Sequence, residues 1–84
     1  VRVNTSLDWE GVRAELMAQI NSISYNNDLR KMIKAVDSMV ADLSKFEVDA
    51  RRTRNTGHCT NKVLQINEAV ENIEKWIVMA ILLE

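Results

Sequence analysis

Residues 28–83 read DLRKMIKAVDSMVADLSKFEVDARRTRNTGHCTNKVLQINEAVENIEKWIVMAILL, and the spacing of their apolar positions decides the fold. Leu29, Met32, Val36, Met39, Leu43, Phe46 and Ala50 follow one another in alternating steps of three and four, with Ile33 and Val40 widening the stripe. Beyond Asn55-Thr56-Gly57, the positions Cys59, Val63, Ile66, Val70, Ile73, Ile77 and Ala80 repeat the pattern. An α-helix turns once in about 3.6 residues, so such steps keep each apolar set on one face. A period of 3.5 held this long favours side-by-side packing at a shallow angle. Gly57 can take the left-handed conformation that closes a helix, and Thr56 or Thr60 can cap the next one. The stretch therefore predicts two helices, about 28–54 and 58–83, each roughly 40 Å long at ~1.5 Å per residue. The three-residue break makes them an antiparallel hairpin.

Upstream, Trp9, Val12, Leu16, Ile20 and Ile23 show the same spacing over a shorter span. Thr5 and Ser6 offer capping hydroxyls, and Asp8 and Glu10 stand in the first turn, where the helix dipole favours anions. A third helix is expected at about 6–24, ending in the polar turn Ser24-Tyr25-Asn26-Asn27, where either asparagine can cap the next helix. Folded back, it would cover the first two-thirds of the second helix and the last two-thirds of the third, leaving the hairpin tip, about 47–62, bare. The fold class is all-α: a three-helix bundle built on a long helical hairpin, with residues 1–84 forming a single helical domain and an oligomer expected.

Composition agrees with this reading. The chain has 84 residues, 46% of them hydrophobic, with two glycines and no proline. So few turn residues imply few connections and long elements. The formal net charge of −1 gives no whole-molecule case for nucleic acid or an anionic membrane. A lone cysteine cannot form an internal disulfide, so a reduced, cytoplasmic setting is expected. Val1 to Trp9 is polar rather than an apolar run after positive charge, which is not the pattern of a secretory signal. The longest apolar run, Trp76 to Leu83, falls far short of the roughly 20 residues that span a bilayer.

Two surfaces are left over. At the C-terminal end, Trp76, Val78, Met79, Leu82 and Leu83 point away from the hairpin seam, and a helix apolar all round is normally buried all round. Self-association through these residues is the leading expectation; a groove for another protein's helix is the second. At the tip, Arg51, Arg52, Arg54 and Lys62 place four positive charges within residues 51–62, beside His58 and with no acid. Removing that +4 from the total of −1 leaves the rest of the chain at −5. Together with Thr56 and Thr60, these residues are candidates for an acidic protein partner or a phosphorylated ligand. A solvated helix end, complementing the dipole, is the plainer reading.

Catalytic equipment is hard to find. His58 and Cys59 are adjacent on a helix and point about 100° apart, and no other histidine could act as base for the thiol. Cys59 lies on the apolar stripe, where a thiol behaves as a small hydrophobe. Glu68, Glu71, Glu74, Asp37 and Asp42 are expected on solvated faces, and Glu47–Arg51 and Glu71–Lys75 as i,i+4 pairs. No cofactor or metal is expected. The sequence thus points to a small non-enzymatic helical regulator of the inhibitor or adaptor type, self-associating and acting by direct contact with a partner protein. The alternative is an oligomer that sequesters a small phosphorylated, nucleotide-like ligand at the tip or at subunit junctions. A helical DNA-binding module comes third, because it needs more positive charge than this chain carries.

Overall fold

A computed structural model describes residues 2–84 of the chain. A 3₁₀ turn, Ser6–Asp8, leads into α1 (Trp9–Asn21), followed by α2 (Asn27–Thr53) and α3 (Gly57–Leu82), with no strand among the described residues. The long helices α2 and α3 pack as an antiparallel hairpin with α1 lying along it, in a rod of 49 × 17 × 16 Å.

The core follows the sequence period. Ile66, Val70, Ile73 and Ile77 of α3 are all buried, with Cys59, Val63 and Ala80 half-buried at either end of the row. On α2 the deep positions are Leu29, Ile33, Val36, Val40 and Leu43, while Met32 and Met39 stand at the margin. The sequence reading put the two methionines in the seam and Ile33 and Val40 beside it. The order is reversed because α2 faces both α3 and α1, so the centre of its buried arc lies between the two seams. Trp9, Val12, Leu16 and Ile20 of α1, with Ile23 just beyond it, close the cluster. Each fully buried aliphatic side chain contributes about 1.5–3 kcal/mol of transfer free energy. No polar or charged residue is buried among those described.

Helix 1 departs most from expectation. Regular α-helix covers 13 residues, not 6–24, and the cover continues toward the hairpin tip as a turn and an extended arm. The Asp8 carboxylate accepts the backbone N–H groups of Asn4 and Thr5 at 2.9 and 3.2 Å, fixing the entry to the turn. Val3, fully buried, is clipped by Asn67, which accepts its N–H and donates to its carbonyl, both at 2.7 Å. Ser6 donates its N–H and its hydroxyl to the two Glu47 oxygens. Glu47 is thereby turned toward the arm, and no Glu47–Arg51 ion pair forms among the described residues. The arm also shortens the bare tip. Residues 51–58 are exposed, whereas Glu47, Ala50, Cys59, Lys62 and Val63, within or next to the range expected to be bare, are half-buried.

The connections are made by asparagines. The Asn26 side chain donates to the carbonyls of Ile20 and Ile23, the open end of α1, and accepts from Arg30 Nε at 3.1 Å. At the tip, Arg54 takes the left-handed conformation (φ 61°) that the sequence reading gave to Gly57, and its N–H donates to Ala50 at 2.7 Å. Gly57 is instead the first residue of α3, and its N–H donates to Asn55 Oδ1. The left-handed residue therefore falls three positions earlier than expected, while the helix ends at Thr53, within one residue of the expected bound, and Asn55 supplies the local hydrogen bond that starts the next helix.

Candidate functional site

An apolar opening lies where the α1–α2 turn meets the end of α3. It encloses about 570 Å³ and is lined by Ile23, Ser24, Tyr25, Trp76, Met79, Ala80, Leu83 and Glu84. Trp76, Met79, Ala80 and Leu83 follow steps of three, one and three, which set them along one side of α3. The turn is held against them by Glu84, whose carboxylate accepts the Ser24 N–H at 2.8 Å. Trp76 is 56% exposed and Tyr25 94% exposed.

Of the five residues expected to form one C-terminal surface, the structure brings together three. Trp76, Met79 and Leu83 line the groove; Val78 and Leu82 do not. Val78 is two residues from Trp76 and so about 200° around the helix. With Ile81 and Leu82 it makes a second exposed apolar strip on the other side of α3. Sequence reasoning missed Ile23 and Tyr25 as groove residues. Ile23 was legible as the last member of the α1 stripe, but Tyr25 sits in a polar turn and its position depends on how the turn folds.

The basic tip is placed as expected in sequence but is less open than its charge count implied. Arg52 pairs with Asp49 at 2.8 Å, one turn back and outside residues 51–62. His58 stacks on Phe46, ring centroids 5.5 Å apart and planes 24° from parallel, and Lys62 Nζ lies 5.7 Å from the centre of the same ring. A cation over an aromatic face is attracted by the ring quadrupole. Phe46 thus gathers two of the tip's basic side chains from across the hairpin, a contact invisible to local spacing. Thr60 donates its hydroxyl to the Thr56 carbonyl and Thr53 donates to Asp49, so these hydroxyls serve their own helices. Arg51 and Arg54 make no ion pair among the described residues.

Asp37 also differs from expectation. Rather than standing on a solvated face, it accepts the Trp9 indole N–H at 2.7 Å and Arg13 Nε at 3.0 Å, joining α1 to α2. Cys59 is half-buried against the core, and no three of the described His, Cys, Asp or Glu side chains converge as a metal site. No described helix is long and apolar enough to cross a membrane. Comparison with family models, curated proteins and solved structures finds no match to this chain. Site geometry alone therefore carries the functional reading.

Proposed function

We propose that this chain is a non-enzymatic helical binding module whose copies associate through the groove of Trp76, Met79, Leu83 and Tyr25, and which contacts an acidic partner protein through its basic tip. The groove carries the reading. A cavity and a protruding ring, Tyr25, lie side by side on one surface. That arrangement suits a two-fold pair, in which each copy offers the same self-complementary patch. Aromatic residues and methionine are also the types enriched in interface cores.

Sedimentation velocity at low and high salt tests the association. A mass that is a multiple of the 9.6 kDa chain, retained at high salt, is the expected result for an apolar contact. A monomer at both salt concentrations would overturn the proposal. At the tip, Arg51→Glu with Arg54→Glu should abolish partner binding while leaving the oligomer mass unchanged. The alternative, a small phosphorylated ligand at the tip, has less support, because Thr53 and Thr60 donate to backbone carbonyls rather than outward.

A further inference from the structure

A second cleft, unconnected with the groove or the tip, lies between α1 and the first turns of α2. It encloses about 320 Å³ and is lined by Arg13, Met17, Asn27, Arg30, Lys31, Ile33 and Lys34. Four of these seven residues are cationic and none is acidic. Arg30 and Lys34 are four apart, and Lys31 and Lys34 three apart, so α2 turns like charges toward one another, which opposes the helix rather than supporting it. Asp28 and Asp37 each lie three residues from one of the lysines, but neither pairs with it among the described residues, and Asp37 is engaged by Trp9 and Arg13. Lys31 and Lys34 make no ion pair among the described residues.

The two arginines are positioned in advance. Arg30 donates to Asn26 Oδ1 at 3.1 Å and to Asn21 Oδ1 at 2.6 Å, and Arg13 donates to Asp37 through Nε. A guanidinium has five N–H donors, so both keep several for a ligand. Half-buried Met17, with buried Ile33 beneath it, gives the same cleft an apolar side. Its volume sits at the small end of the range for small-molecule sites, ~300–1,000 Å³.

We propose that this cleft binds a small phosphorylated molecule, with the phosphate among Arg13, Arg30, Lys31 and Lys34 and an attached ring against Met17. The phosphate adds the counter-charge that Arg30, Lys31 and Lys34 lack, since only Arg13 of the four has an acid partner among the described residues, and the arginine forks match its oxygens. The ring covers the part of Met17 that the core leaves exposed. This site is independent of the groove, so either proposal can fail alone.

Backbone amide NMR of the full chain, titrated with phenyl phosphate and separately with inorganic phosphate, tests it. Saturable shifts confined to residues 13–17 and 27–34 are expected, with phenyl phosphate binding about tenfold more tightly than inorganic phosphate. Lys31→Glu with Lys34→Glu, both exposed positions, should abolish the shifts and leave the rest of the spectrum in place. Arg51→Glu with Arg54→Glu should leave the binding unchanged. No saturable shift at millimolar ligand would overturn the proposal, as would shifts that survive the lysine reversal. Equal shifts at residues 51–62 would overturn it too, by reducing the effect to general attraction between anion and cation.

Discussion

Trp9 and Trp76 are the same side chain in opposite circumstances. Trp9, on α1, is 6% exposed; it packs into the core, and its indole N–H donates to Asp37. Trp76, on α3, is 56% exposed, and its indole makes no hydrogen bond among the described residues. Around Trp9 the arm continues the cover, with Val3 clipped by Asn67 and Ser6 by Glu47. Around Trp76, by contrast, apolar side chains face outward on both sides of the helix. Among the described residues the outer layer lies along α1 and the arm. What that layer does not reach, at the far end of α3, is surface that a second molecule can cover.

If the closed region is self-sufficient, damage there should appear as lost stability. The largest effect belongs to its centre: Leu16→Ala or Ile73→Ala should cost about 2–5 kcal/mol in urea unfolding, from lost transfer energy and the cavity left behind. Next comes Asp37→Ala, which leaves the buried Trp9 N–H without its acceptor and should cost about 1–3 kcal/mol. Asn67→Ala removes both bonds to Val3, and about 1–2 kcal/mol is expected, with amide exchange accelerated in residues 2–8. The open region should respond differently. Trp76→Asp, read as monomer stability, should change it by no more than about 0.5 kcal/mol while abolishing association. Val78→Asp, on the other side of the same helix, should leave association intact; loss of the oligomer in that variant would move the interface to the second strip. At the tip the sign reverses: Arg54→Gly should gain about 0.5–1 kcal/mol by relieving the left-handed backbone.

The contrast also marks what the sequence made legible. The α3 row Ile66, Val70, Ile73 and Ile77 follows from period alone, because one face of a regular helix meets one partner. The position of the hairpin break was equally readable from Asn55-Thr56-Gly57, although the residue that bends the chain was not. Arg54 takes the left-handed turn with its N–H on the Ala50 carbonyl, although glycine would adopt that backbone at less cost. The arm was hidden for a different reason. Val3–Asn67 and Ser6–Glu47 join residues 64 and 41 positions apart, and polar clips of that range leave no periodic trace. The Phe46–His58–Lys62 stack crosses the hairpin and was hidden in the same way. At the C-terminal end the apolar excess was plain in the sequence, but its division into two strips, and the contribution of Ile23 and Tyr25, required the path of the α1–α2 turn.

Trp9→Phe leaves Trp76 as the only tryptophan and makes the decisive measurement simple: its emission wavelength and the solution mass, followed together as the chain is diluted. Association through the groove requires the emission to lie at short wavelength in the oligomer and to move to the long wavelength of a hydrated indole as the mass falls to 9.6 kDa. Emission that stays at long wavelength while the mass remains that of an oligomer would contradict the groove as the interface. A monomer at every concentration would contradict self-association itself.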